Sequence, residues 1–379
     1  MTKIANTPAP RQLTPYAEDT LRALTDGAHR HGHLLDLDLS LPNLALLLAA
    51  VLACSFHAAL KRLHRITQNE RFDPQRLLVR RLQRLVCQEE RAQRRLVLVD
   101  WTSCGAFDLL VAALALEDED QRLGRAMLLY AEAHPKNQLA GRKNHIEKTF
   151  LARLRRACHL AAEAAAPETA PPLFDRLCFV FDRGFAKDAL LGFLCQEGFR
   201  FVVRAKLNVR CLSPKGRSML LENYVGRLAS GTLVRHLVYK HKATGYRPRM
   251  NLVVCRRRVG KTWAQWYLWT NLDHAEAVIE AYERRFSVEE SFKDAKTHWK
   301  LEQRRIQYTD RMDRYLAILA LLQAELCQVA LALLAITPEL RRHLGESGRN
   351  RLSLQNLLRR AFFLAPEMLH ELDPSPRCL

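Results

Sequence analysis

Apolar residues along this chain follow two spacings, and the switches between them mark out its units. Over residues 41–90 the spacing is helical. Asp73-Pro74 has the form of a helix start, an N-cap followed by Pro at the first helical position. The helix it opens should bury Leu77, Leu78, Leu82 and Leu85 or Val86, and turn Arg76, Arg80, Arg81 and Arg84 to solvent. At Leu96 the pattern changes. Leu96-Val97-Leu98-Val99 is a continuous apolar run, which predicts a strand buried on both faces that ends at Asp100. Further strands are expected near 108–116 and 125–133, then a long helix over 144–165 and a Pro-containing break over 166–172. A second buried strand, 177–181, ends at Asp182, and Asp182-Arg183-Gly184 reads as a turn. A helix over 186–196 and a strand over 200–206 complete a mixed α/β layer architecture.

Residues 207–272 read as short alternating strands with Gly and Pro turns, for example 232–239 and 250–255. Helical spacing returns at Asp273. Ser287 and Glu290 have capping-box spacing, so two helices, 273–285 and 287–298, replace one. Helices over 310–336 and 352–364 precede a Pro-rich tail, and residues 1 to about 40 are polar and Pro-containing, poorly ordered at the start. The pattern divides the chain into a helical N-terminal region (1–94), a first core part (95–206), a β insertion (207–272), a second core part (273–310) and a C-terminal helical region (311–379).

Charge narrows the partners. The net charge is +19 with a sequence pI of about 9.8, which points to a polyanion, nucleic acid before an anionic membrane surface. Residues 207–272 alone carry thirteen Lys/Arg against one acidic residue, Glu222, interleaved with Tyr224, Tyr239, Tyr246, Trp263, Trp266 and Trp269. Basic groups among aromatics suit a surface that tracks phosphates and stacks bases. The plainer reading is a β-sheet with an aromatic inner face and a solvated basic outer one. Residues 61–95 hold eleven Lys/Arg against four acidic residues, which fits either a DNA-contacting helical unit or a solvated face. The apolar stretches 44–53 and 315–336 are too short or too interrupted to span a bilayer and read as core helices. Ten scattered cysteines form no CxxC pair, so a disulfide framework and a zinc finger are both disfavoured, and a reducing cytoplasm is the natural setting.

Tyr282, Arg285, Glu289 and Lys296 are spaced by three, four and seven residues, within an arc of roughly 60° on a continuous helix. Ordinary salt bridges on an exposed helix explain most such stripes. Asp100 and Asp182 change the balance. An Asp after a strand is usually a turn former, yet ligands also gather at the carboxyl ends of central parallel strands. Two aspartates converging there with Glu289 make an all-oxygen donor set suited to Mg²⁺ or Mn²⁺. Two such ions activate a water or a 3′-hydroxyl for in-line attack on a phosphodiester.

These residues resemble the bacterial insertion-sequence DDE transposases that carry the YREK signature, here Tyr282, Arg285, Glu289 and Lys296 at the family spacing. Val-Asp-Trp-Thr (99–102) is similar to the family's first catalytic block, Phe-Asp-Arg-Gly-Phe (181–185) to its second, and Trp-Tyr-Leu-Trp-Thr-Asn (266–271) to the segment before the Glu helix. The resemblance covers residues 95–305. It implies an RNase H-like (retroviral integrase-like) core interrupted by a β insertion, with Asp100, Asp182 and Glu289 as catalytic ligands of two Mg²⁺ ions, Mn²⁺ substituting. It implies that Tyr282, Arg285 and Lys296 hold transposon-end phosphates, that double-stranded DNA is cut at terminal inverted repeats and joined to a target, often through a hairpin, and that a homodimer forms the synaptic complex. Further DNA contacts are expected from Arg183, Arg204, Arg256, Arg257, Arg258, Trp266 and Trp269, with Trp263 competing for the stacking role. The same chemistry fits a nuclease that cuts without joining, or a non-catalytic DNA-binding descendant. Val259-Gly260-Lys261-Thr262 ends like a phosphate-binding loop but has Cys255 where Gly is needed, so no nucleotide is expected.

Overall fold

The computed structural model describes residues 15–31, 39–87, 95–117, 122–165, 173–213, 215–226, 228–240, 248–259, 262–297, 301–303 and 306–336. Helices α1 (Pro15–His31), α2 (Leu41–Leu52), α3 (Phe56–Gln68) and α4 (Pro74–Cys87) precede a meander of β1 (Arg95–Cys104), β2 (Phe107–Glu117) and β3 (Arg122–Pro135). Helix α5 (Lys143–Ala165) and the short α6 (Leu173–Arg176) lead to β4 (Leu177–Phe181), and α7 (Asp188–Gln196) leads to β5 (Arg200–Arg204). Then come β6 (Arg210–Leu212), β7 (Ser218–Leu220), the short α8 (Leu221–Val225), β8 (Leu233–Lys240), β9 (Arg249–Val259) and β10 (Thr262–Thr270). Helices α9 (Ala275–Glu283), α10 (Phe286–Thr297) and α11 (Thr309–Ile336) follow. The expected helix over 352–364 and the first fourteen residues lie outside the described residues.

One ten-stranded sheet organises all of this, in the order β3-β2-β1-β4-β5-β10-β9-β8-β6-β7. Strands β1, β4 and β5 are parallel; the meander and the outer strands are antiparallel. The meander with two added parallel strands is the RNase H-like core that the sequence led us to expect. The stretch 207–272 is not a separate unit. Its last strand, β10, pairs directly with β5 (Trp269 opposite Val203), so the basic strands extend the core sheet.

Both faces of the central strands are covered, which is why β1 and β4 read as unbroken apolar runs. One face packs Val97, Val99, Phe179 and Phe181 against α5 and α7, through Phe150, Leu154, Leu190 and Leu194. The other packs Leu98, Val180 and Val202 against α9 and α10, through Val278, Tyr282 and Val288. A third cluster joins α1, α2 and α3 to α11 through Leu24, Leu48, Leu63, Tyr315 and Leu322. The apolar stretch 44–53 lies in that cluster, and among the described residues no single helix is long and apolar enough to cross a membrane.

Helix α4 begins as expected, with Asp73 Oδ1 accepting from the Gln75 amide at 2.9 Å. Its basic face departs from expectation. Arg81 is buried at 6% exposure and donates to the carbonyls of Leu128 (2.5 Å) and Leu129 (2.7 Å). Leu129 is an extra residue in β3, since Ala112 pairs with Tyr130 and the next residue, Ala113, with Leu128. The bulge turns backbone carbonyls away from the ladder, and the guanidinium satisfies them. Arg80 and Arg84 pair with Glu18 and Glu325, both at 2.6 Å, so this face binds helices together.

Candidate active site

Strand register brings the two aspartates together. The parallel ladder between β1 and β4 ends at Val99 opposite Phe181. Asp100 and Asp182 are the next residues on each strand. Side chains alternate along a strand, so Asp100 shares a face with Leu98, and Asp182 with Val180. That is the face covered by α9 and α10. Strand β1 does not stop at Asp100 as the apolar run suggested. Its pairing with β2 continues from Asp100 opposite Val111 to Cys104 opposite Phe107, so Asp100 ends one ladder while lying mid-strand in the other.

Each carboxylate is pinned by its own backbone. Asp100 Oδ1 accepts from the Trp101 amide at 2.8 Å. Asp182 caps the 3-10 turn Arg183–Phe185, accepting from the Gly184 amide at 2.6 Å. A Cβ at Gly184 would lie 2.9 Å from Asp182 Oδ1, so the absence of a side chain there leaves the carboxylate its place. Burial, and next the neighbouring Asp182 carboxylate, push the Asp100 carboxyl up to about 6; the Trp101 amide and Arg285 oppose the shift, and Glu289 adds to it.

Glu289 arrives from the opposite layer. The charged stripe is indeed two helices, broken at Arg284-Arg285, where Arg285, Ser287 and Val288 make tight i→i−3 amide bonds. Glu289 therefore sits in the first turn of α10. Arg285, at 8% exposure, places its guanidinium between the acids, 2.7 Å from Glu289 and 3.6 Å from Asp100. Its position over the Phe286 ring, 4.7 Å from the centroid, fixes its plane.

An oxygen-only set suits hard divalent ions, and the upward shift of Asp100 marks a place where negative charge is under-compensated. The residues fit such ions, with one adjustment. Among the described residues no three His, Cys, Asp or Glu side chains approach closely enough to hold a metal ion. Carboxylates repel, and Arg285 holds Glu289 in an ion pair. Glu289 has a 45% exposed side chain and room to turn toward the aspartates.

The other candidates divide by burial. Trp266 and Trp269, expected to contact DNA, are 5% and 0% exposed. Trp266 stacks edge-on against Tyr282 at 5.1 Å, and Trp269 against Tyr239 at 5.7 Å on the opposite face. Indoles packed in the two cores have no face left for a base. Trp263 is the exposed one, at 63%, with the Arg256 guanidinium 5.2 Å from its ring. Tyr282 is 1% exposed, and its hydroxyl meets Arg204 and Arg285, so it supports those arginines from below. Burial raises its phenol above the usual range, and the two arginines oppose that. Lys296 lies one-third exposed, 3.1 Å from Glu302. Arg183, Arg256, Arg257 and Arg258 are exposed, with Arg257 also paired to Glu283 at 2.7 Å. Gly260 and Lys261 lie outside the described residues, but Val259 and Thr262 pair across β9 and β10. A phosphate-binding loop opens a helix, and this one joins two antiparallel strands.

Two residues near the aspartates, Glu147 and Lys187, had no local signal in the sequence, and Trp101 stood out there only within the block around Asp100. Glu147 of α5, only 2% exposed, accepts from Trp101 Nε1 at 3.0 Å and from Lys187 Nζ at 2.8 Å. Lys187 is five residues past Asp182. Only the fold brings Trp101, Glu147 and Lys187 together.

A family model described as transposase DDE domain matches residues 91–323, more than half of the chain. No match was found among curated proteins.

Proposed function

We propose that this chain, which belongs to the family of transposases with a DDE domain, cuts DNA at the inverted repeats of an insertion sequence and joins the freed ends to target DNA. The observation that carries this reading is the placement of Asp100 and Asp182 on one sheet face, each one residue past the end of the ladder between β1 and β4, with Glu289 on the helix above. These three residues would hold two divalent ions, Mg²⁺ or Mn²⁺. The chemistry such ions supply when bound is activation of a water or 3′-hydroxyl and stabilisation of the leaving oxygen.

The chain's own groups do the rest. Arg285 neutralises Asp100 and Glu289 before DNA arrives and then transfers its bidentate donors to a phosphate, which releases Glu289 toward the aspartates. Tyr282 and Arg204 support that guanidinium. Lys296 exchanges Glu302 for the backbone of the transposon end. Arg183, beside Asp182, and the Arg256–Arg258 run neutralise phosphates on either side of the scissile bond, and Trp263 offers the exposed ring for an unpaired base. Two copies acting on paired ends, a homodimeric synaptic complex, would bring both ends to one target.

The test mixes purified protein, Mg²⁺, DNA bearing the element's inverted repeats and a target plasmid. Joined products are expected. Asp100→Asn, Asp182→Asn and Glu289→Gln should each abolish cleavage while leaving DNA binding largely intact. Cleavage without joining supports a nuclease instead, and binding with neither supports a non-catalytic protein. Normal cutting by any of the three variants removes that residue from the site.

A further inference from the structure

We infer that Glu147 is a positioning residue that sets the separation of Asp100 and Asp182 from the far side of the sheet; the inference rests on the active-site reading above. The ladder between β1 and β4 ends one residue before the two aspartates. Beyond that point no backbone pairing joins the two strands, although two carboxylates of like charge stand side by side there. Something else must hold the strand ends together.

The Glu147 side chain is placed to do it. Alternation sends Trp101 to the face opposite Asp100, where its indole donates to Glu147 Oε1 at 3.0 Å. Lys187 comes from the segment after Asp182 and meets both carboxylate oxygens, at 2.8 and 2.9 Å. That segment is short and anchored: Phe185 is 2% exposed and packs on Phe181 at 5.3 Å. A closed ring therefore runs from Asp100 through Trp101, Glu147 and Lys187 back to Asp182. The Glu147 side chain is 2% exposed, a costly place for a carboxylate unless its partners are fixed. Lys143, 5.0 Å over the Trp101 ring, and His134, 5.6 Å from it, hold the indole on its other sides. The bridge replaces the ladder where the ladder stops, and it fixes the Lys187 ammonium to Glu147, away from the catalytic carboxylates.

The test uses the full chain with Glu147→Gln and Lys187→Met, each opening the bridge from one side. Should Glu147→Gln fail to fold, Lys187→Met, at a side chain one-quarter exposed, reads the same bridge. Three quantities are measured: amide hydrogen exchange without metal, Mn²⁺ affinity by electron paramagnetic resonance titration, and the melting temperature. Expected are faster exchange confined to residues 99–104 and 181–188, a fall in Mn²⁺ affinity of about tenfold or more, and a lower melting temperature for Lys187→Met, which strands the buried Glu147 carboxylate, than for Glu147→Gln. Unchanged exchange in those segments overturns the inference, as does faster exchange with Mn²⁺ affinity within about twofold of wild type, a shift too small for a ligand-orienting partner. If the wild type shows no Mn²⁺ binding that Asp100→Asn removes, the metal-site reading fails. In that case the exchange data alone decide the bridge: localised opening supports it and none refutes it.

Discussion

Asp100→Asn should inactivate this protein and at the same time stabilise it. The Asp100 carboxyl is raised from 3.8 to about 6, with burial the largest cause and the Asp182 carboxylate the next. Because the folded-state pKa lies above the unfolded one, the wild type loses stability as pH rises from about 4 to about 6 and keeps that deficit at higher pH. A shift of this size corresponds to about 3 kcal/mol when Asp100 is fully ionised. Asn is isosteric, still accepts from the Trp101 amide, and leaves Arg285 paired with Glu289. In metal-free buffer at pH 8 the variant should melt about 4 °C higher than wild type, the shift that about 3 kcal/mol produces in a chain of this size. At pH 4 or below the two should melt together. Added Mg²⁺ should raise the wild type far more than the variant, since a bound cation removes the same deficit. The measurement is thermal melting across pH 4–8 with and without chelator. A variant no more stable than wild type at pH 8, or a difference that does not grow between pH 4 and pH 6, refutes the claim that Asp100 is an under-compensated carboxylate.

Gly184→Ala should leave the melting temperature nearly unchanged, because the added methyl meets only the movable Asp182 oxygen, yet cut DNA cleavage by about tenfold or more by displacing that ligand; normal cleavage rates would show that Asp182 tolerates the shift. Trp263→Ala should weaken binding to unpaired DNA by about 1–3 kcal/mol without loss of stability. Trp269→Ala, in the core, should instead cost about 3–5 kcal/mol of folding, and parallel binding and melting curves tell the two apart. Asp313, raised to about 7 chiefly by burial, accepts from the Ala133 amide at 2.7 Å, so Asp313→Asn should stabilise at pH 8.5 and be nearly neutral only at pH 4 or below, as read by melting at both values.

What the sequence made legible follows its physics. Strands β1 and β4 were readable because double burial removes polar residues from them, and the aspartates stood out as the first charges after each run. A helix break before Glu289 was also expected, from capping at Ser287; the break stands at Arg284-Arg285, and α10 begins at Phe286 with Ser287 already inside it. The direction of the tryptophans was not. Alternation names two faces, but when both are covered it does not say which positions are left in solvent. Trp263 is exposed at the end of the β9–β10 pairing, opposite Arg258, a fact of its position in the sheet. Arg81 looked like a solvent-facing charge because a bulge in β3, far along the chain, supplies its acceptors. The pairing of β5 with β10 and the bridge through Glu147 depend equally on contacts between distant segments, which local spacing does not encode.

The unbroken ladder from β3 to β7 has a mechanical meaning. If the outer basic strands grip a duplex as proposed, its pull on β9 and β10 passes to β5 through the β10 pairing, and from β5 to the strand that leads into Asp182. On that reading, tension on the duplex would reach Asp182 as shear along neighbouring strands. The far edge is free to change. Strands β6 and β7 are three residues each and close the sheet on the side away from the aspartates, so a change of length or charge there leaves the strands beside Asp100 and Asp182 as they are.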